Sequence, residues 1–175
     1  MKAKIVERLI EGWEFKEVSS KTWMPASVPG CVHTDLYINN KIVDPFVGTN
    51  EIDLQWIGNK SWIYRTKFKI DRNLLEMETI VLNFLGLDTY AKVSLNNVDI
   101  LDADNMFRAW IINVKEIITE NENELIIKFD SPIEKILPLM KTIDYELPAD
   151  NDQIKKTSPY TRKAPYHYGW DWGPS

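Results

Sequence analysis

Two tryptophans flank a single carboxylate near the end of this 175-residue chain, at Trp170-Asp171-Trp172, and three ring side chains, Tyr166, His167 and Tyr168, lie just upstream. Pro165, Gly169, Gly173 and Pro174 bracket the group. These residues break strand pairing, so an exposed, rigid loop is expected rather than a core strand. The chemistry such a loop offers is sugar binding. An aromatic ring stacks on the C–H face of a pyranose, and a carboxylate accepts from two neighbouring hydroxyls at once. Spacing alone equally allows an ordinary arrangement of two core tryptophans and a turn aspartate, because large aromatics are mostly buried.

Composition narrows the function classes. The chain is 44% hydrophobic and 27% charged, the balance of a soluble globular protein, and its length suits one domain with a sizeable core. Seven tryptophans are a surplus over core needs, a hint of carbohydrate contact. The net charge is -5 and no basic stripe is present, so no nucleic-acid partner is expected. Cys31 is the only cysteine, which rules out an intramolecular disulfide and a cysteine-built metal site. A small packed side chain is expected there, not a nucleophile. Two histidines, His33 and His167, are too few for a histidine-built zinc site. Asp102 and Asp104 could suggest calcium, but Asp and Asn in such a loop serve turn hydrogen bonds more often. No metal and no cofactor is expected. No apolar run reaches membrane-spanning length. The charged start Met1-Lys2-Ala3-Lys4 lacks an apolar core after it, so a cytoplasmic protein is expected if this is the native start.

The elements that must position the loop are mostly strands. Residues 13–18 alternate apolar and polar, as a half-buried strand does. Trp62, Tyr64, Thr66, Phe68 and Ile70 form one face of a second strand, against a partly charged face of Ile63, Arg65, Lys67 and Lys69, which points to an antiparallel sheet with one wet side. Strands are also expected at 79–85, 90–95, 98–101, 109–114 and 124–129. Asn96-Asn97 is a tight turn, since asparagine tolerates positive φ. Short strands without βαβ alternation indicate a sandwich. His33 to Asn39 suits one or two helical turns, and Lys41 to Gly58 an irregular segment. Ser131-Pro132-Ile133-Glu134 has the capping-box pattern with proline at the first helical position. Pro138 is expected to end or kink that helix near Leu137. From Asp144 to Thr161 the chain has no period, and a long loop is expected.

Three stretches, in order, resemble the β-mannosidases of glycoside hydrolase family 2. They are Val28-Pro29-Gly30-Cys31-Val32-His33-Thr34-Asp35-Leu36, continuing to Asp44-Pro45-Phe46 and Asn50-Glu51; Gly86-Leu87-Asp88-Thr89-Tyr90-Ala91, continuing to Ala103-Asp104-Asn105-Met106-Phe107-Arg108; and Tyr168-Gly169-Trp170-Asp171-Trp172-Gly173-Pro174. The resemblance runs from about Trp13 to the last residue. It implies an all-β fold, a galactose-binding-like jelly-roll β-sandwich with one or two short helices. It further implies that residues 1–175 are the N-terminal domain of a longer glycosidase, preceding immunoglobulin-like domains and a catalytic (β/α)₈ barrel. A retaining mechanism needs two carboxylates about 5–5.5 Å apart, and in the family both belong to the barrel. No catalytic acid, base or nucleophile is therefore assigned to this chain. What the resemblance implies here is substrate binding. Asp171 would accept from hydroxyls of the non-reducing mannose of a β-mannoside oligosaccharide, and Trp170 and Trp172 would shape the wall of that subsite. The same domain occurs in family 2 β-galactosidases and β-glucuronidases, and a stand-alone carbohydrate-binding module is a reading of another class.

Arg162 and Lys163 are expected to pair with the loop's acids or a neighbouring domain, or to lie solvated. His167 is expected to pack beside Tyr166 and Tyr168. In the family the sandwich continues past the position of Ser175, so the domain is expected to be incomplete at its C-terminal strand. An open edge and an uncovered part of the core follow. The expected responses are a disordered tail that includes the Trp170-Asp171-Trp172 loop, edge-to-edge pairing with another copy, or strand exchange between copies.

Overall fold

The computed structural model describes residues 5–149, 152 and 155–169. Strand β1 spans Glu14–Glu17, β2 Met24–Pro25, β3 Trp62–Phe68, β4 Val81–Phe84, β5 Tyr90–Leu95, β6 Val98–Ala103, β7 Trp110–Asn113 and β8 Asn123–Asp130. Six of them form one antiparallel sheet in the order β2-β1-β3-β8-β5-β6, and β4 pairs with β7 in a second, two-stranded sheet. The chain is an all-β sandwich, as its alternation implies.

Register explains which side chains reach the core. Across the large sheet Phe15 faces Tyr64, Tyr64 faces Ile127, Ile127 faces Val93 and Val93 faces Leu101. Successive strand residues point to opposite faces, so this row lies on one side of the sheet. Phe15, Val93, Leu95 and Leu125 are at most 2% exposed, and burying a side chain of this size contributes about 1.5–3 kcal/mol. Phe15 and Tyr64 stack at 5.4 Å between ring centroids. The opposite face is wet and ion-paired. There Arg65 Nη2 lies 2.8 Å from Glu14 Oε2 and its guanidinium rests 3.9 Å from the Trp23 ring. In the small sheet Leu82, Phe84, Trp110 and Ile112 pack against the core, while Val81 and Ile111 are exposed. Between the described parts of the two sheets lies an open cleft of about 2010 Å³, lined among others by Trp62, Tyr64, Leu82, Phe84, Leu125 and Ile127.

The Asn96-Asn97 turn forms as expected. Both residues have positive φ, 52° and 65°, which matches the right-handed twist of the hairpin β5–β6. Asn96 also ties the hairpin to β8. Its backbone N–H donates to Glu124 O at 2.9 Å, and its side chain accepts from Glu124 N at 3.0 Å and donates to Asn123 Oδ1 at 2.9 Å. Asn123 is fully buried. It satisfies itself by accepting from Thr119 N and donating to Thr119 O, each at 2.9 Å.

Among the described residues there are four short helices where one or two were expected: α1 at Val32–Ile38, α2 at Asn50–Leu54, α3 at Arg72–Leu75 and α4 at Pro132–Met140. The segment expected to be irregular, Lys41 to Gly58, thus contains α2 and begins a 3₁₀ turn at Ile57–Asn59. Helices of four or five residues are too short to show a 3.6-residue period, and neither α2 nor α3 has a side-chain cap. At α4 the Ser131 hydroxyl accepts from Glu134 N at 3.2 Å and donates to Gly58 O at 2.6 Å. The reciprocal half of the capping box is replaced, because Ser61 Oγ, not Glu134, accepts from Ser131 N, at 3.0 Å. Pro138 does not end the helix, which runs on to Met140. The proline removes only one backbone bond, and the buried Ile136 holds the preceding turn against the core. Cys31 is exposed rather than packed, since it is the N-cap of α1 and stands outside the helix's buried face.

Candidate functional site

Trp170, Asp171 and Trp172, and with them the tail expected to be disordered, lie outside the described residues. What the structure places is the base from which that loop departs. The described chain before it, residues 155–169, begins with a small capped turn. Asp152 accepts through Oδ2 from the Thr157 hydroxyl at 2.9 Å and from Ser158 N at 3.1 Å, and through Oδ1 from Lys155 N at 3.2 Å. Two 3₁₀ turns follow, Ser158–Tyr160 and Pro165–Tyr168, each with a proline at its start, where a fixed φ and a missing N–H cost nothing. So the segment expected to be a long loop is an ordered strap through much of its second half.

The strap docks onto the second family-like stretch. Asn105 and Arg162 form an isolated parallel bridge, with Met106 N donating to Arg162 O at 3.0 Å. Ala164 N donates to Met106 Sδ at 2.9 Å, and Ala164 itself is buried. Next to this backbone seam sits a polar one. Lys163 Nζ pairs with Asp88 Oδ2, and His167 Nδ1 lies 3.2 Å from the same oxygen. An ionised carboxylate can only accept, so Nδ1 carries a proton there. Lys163 therefore has a partner within the described residues and is not merely solvated. Its partner comes from Gly86-Leu87-Asp88, some 75 residues upstream. His167 packs edge-on against Tyr166 at 4.7 Å, as expected.

The electrostatics of this base favour neutral rings beside one anion. Burial lowers the His167 pKa below 6.5, and the Lys163 ammonium lowers it further, outweighing the pull of Asp88. At neutral pH the imidazole is thus an uncharged donor to Asp88. Burial pushes the Tyr168 hydroxyl up to about 12. Lys163 and Asp88 are partly screened, with side chains 18% and 32% exposed, so the pair is stronger than a surface ion pair of the ordinary kind.

The chain leaves this base through Gly169 at φ 131° and ψ 148°, a conformation open essentially to glycine alone. His33 of the first family-like stretch lines the same cleft as Asp88, Met106, Lys163 and His167. Asp35, two residues on, is 1% exposed and accepts from Tyr64 OH at 2.7 Å and from Ser27 N at 2.8 Å, which anchors α1 to the sheet. Asp102 belongs to β6, opposite Lys92, and among the described residues no group of three or more His, Cys, Asp or Glu could hold a metal ion. Sequence reasoning missed Asp88. Its only signal was an acid inside a family-like stretch, and nothing local announces a partner so far along the chain.

A two-sheet antiparallel sandwich of this kind is the architecture of a galactose-binding-like domain. Residues 13–175 match the family described as "Glycosyl hydrolase 2 galactose-binding domain-like", and the chain belongs to that family. It is 42% identical over 172 residues to Beta-mannosidase B of Aspergillus niger, and 41% identical over 174 residues to Beta-mannosidase B of Aspergillus terreus. It is also similar to the crystal structure of a β-D-mannosidase from Dictyoglomus thermophilum, with a TM-score of 0.88 and 44% identity over 95% of this chain. The Amycolatopsis orientalis exo-chitosanase CsxA shares the fold at 21% identity and a TM-score of 0.60, covering 70% of this chain and 16% of its own. The chain covers 95–96% of itself but spans only 20% of the length of the Aspergillus relatives and of the Dictyoglomus structure.

Proposed function

We propose that the chain is the N-terminal domain of a retaining β-mannosidase that removes terminal non-reducing β-D-mannose. The observation that carries this reading is the identity of 42–44% to proteins named β-mannosidase over 95% of the chain. In this reading the domain supplies no catalytic carboxylate. The acid/base and the nucleophile belong to a barrel beyond it, preceded by immunoglobulin-like domains, and those domains are its partners in the polypeptide. Its own contribution is the wall of the mannose subsite. Asp171 accepts from sugar hydroxyls remote from the scissile bond, and Trp170 and Trp172 shape the wall. The strap described above supports this assignment, because it gives those residues a fixed, partly buried point of departure. Contacts remote from the reacting bond raise turnover when they tighten in the transition state.

The test is activity of the full-length gene product on p-nitrophenyl β-mannoside, β-galactoside and β-glucuronide, with the 175-residue chain assayed beside it. Mannoside preference by the long form, and none by the short one, is expected. Cleavage of galactoside or glucuronide without mannoside would overturn the reading. In the same long form Asp171→Ala is expected to lower mannoside turnover by at least tenfold, and unchanged kinetics would remove Asp171 from the site.

A further inference from the structure

We propose that the end of the strap, residues 163–168, is an acid-released latch: it stays docked on the sandwich while His33 and His167 are uncharged, and protonation of the two rings around Lys163 loosens it. The proposal is independent of any sugar contact.

The latch is a cluster drawn from three parts of the chain. His33 comes from α1, Asp88 from the segment before β5, and Lys163 and His167 from the strap, and all four line one cleft. His33 and His167 are the two histidines of the sequence. One carboxylate oxygen serves the strap, since Asp88 Oδ2 pairs with Lys163 Nζ and lies 3.2 Å from His167 Nδ1. The other oxygen accepts from the Thr89 hydroxyl, and Thr89 is buried, so the anion is oriented from the sheet side. The Lys163 ammonium already matches its single charge. A proton on His167 adds a cation beyond that match, and a proton on His33 adds another. Histidine is the side chain whose charge changes in mildly acid solution.

The balance of forces at each ring has the same sign. Burial, and then the Lys163 ammonium, hold His33 below its ordinary 6.5. Burial and Lys163 do the same to His167, although Asp88 pulls the other way. Two further titratable neighbours leave this balance unchanged. Asp35, on the same helix as His33, is committed to Tyr64 and Ser27. Tyr168, next to His167, stays neutral with its hydroxyl pushed up to about 12. Both rings bind protons more readily once the strap end has left Lys163 and the cleft. Their contribution to docking is therefore present above 6.5 and is lost as pH falls through the docked values. The ties that acid leaves in place include Ala164 N to Met106 Sδ at 2.9 Å and Met106 N to Arg162 O at 3.0 Å. A seam this short opens locally without unfolding the sheet.

The experiment is amide hydrogen exchange of the 175-residue chain by NMR between about pH 7 and about pH 5, corrected for intrinsic rates, with the C2 protons of both rings titrated in the same samples. The amides of Met106, Ala164 and His167 report the latch, and those of Asn96 and Val114 report the sheets. On acidification, opening at the latch amides is expected to rise about threefold or more, below the ceiling of about a hundredfold per pH unit that two protons set. Asn96 and Val114 are expected to keep their protection. The double variant His33→Gln, His167→Gln, neutral at both positions at every pH, is expected to lose the rise. Lys163→Met, which removes the shared cation, is expected to raise the titration of both rings. Protection that does not change with pH in the wild type would overturn the proposal. So would a rise that survives in the double variant, which would place the titrating groups elsewhere. A His33 ring whose titration ignores Lys163→Met would also overturn it, because α1 and the strap would then not share that charge.

Discussion

Replacing Asp35 tests how this sandwich holds its first helix. Asp35 is 1% exposed and accepts two hydrogen bonds, from Tyr64 OH at 2.7 Å and Ser27 N at 2.8 Å. Burial, and then the bond to Asp35, push the Tyr64 hydroxyl far above its ordinary pKa, so the tyrosine remains the donor throughout the usable pH range. Asp35→Ala deletes both bonds and leaves the buried Tyr64 hydroxyl without its partner, while the N–H of the exposed Ser27 can turn to water. An orphaned buried group costs about 1–3 kcal/mol, so with the lost Ser27 bond and a small cavity a loss of roughly 3 kcal/mol is expected. For a chain of this size each kcal/mol moves Tm by about 2–4 °C, which gives a drop of about 6–12 °C. Tyr64→Phe should cost less, about 1–2 kcal/mol, because it removes the donor itself and leaves Asp35 its backbone bond. The assay is thermal unfolding of wild type, both single variants and the double variant, followed by far-ultraviolet circular dichroism. The double variant should cost less than the sum of the singles, by about 1 kcal/mol or more. Asp35→Ala within about 1 kcal/mol of wild type, or strict additivity, would refute the reasoning, since either would mean that the Asp35–Tyr64 contact is not a buried, energetically coupled bond.

Other outcomes follow from the same geometry. Asn123→Ala removes the fully buried amide that satisfies Thr119 and Asn96, and about 3 kcal/mol should be lost, read by urea denaturation as a lower midpoint at unchanged slope. Gly169→Ala forces an alanine towards φ 131°, at roughly 1–3 kcal/mol of strain, and should lower Tm by about 2–12 °C in thermal unfolding. The His167 ring should titrate below 6.5 by proton NMR, because burial and Lys163 both disfavour its charge. The sign follows from linkage. The unfolded histidine binds its proton near 6.5 and the folded one only at lower pH, so this group's contribution to stability is present above 6.5 and is lost as pH falls through the folded value.

The strand pattern was legible because each clue is local. Trp62, Tyr64 and Thr66 alternate with Ile63, Arg65 and Lys67, and period two alone tells which face is buried once one side is wet. Asn96-Asn97 and Ser131-Pro132 carry their geometry in their own side chains, a tolerance of positive φ and an oxygen for an orphaned N–H. The family-like stretches are equally local, and they named the loop whose residues suit a sugar. Tertiary structure decided what depends on distant partners. It separated β4 and β7 into a second sheet, because strand order is set by packing and not by alternation. It handed half of the α4 cap to Ser61, carried the helix past Pro138 on the burial of Ile136, and left Cys31 in solvent at the edge of α1. Above all it brought Asp88 to Lys163 and His167. A single carboxylate in a sequence has no direction. Only when the segment before β5 and the strap meet does it become the shared partner of Lys163 and His167.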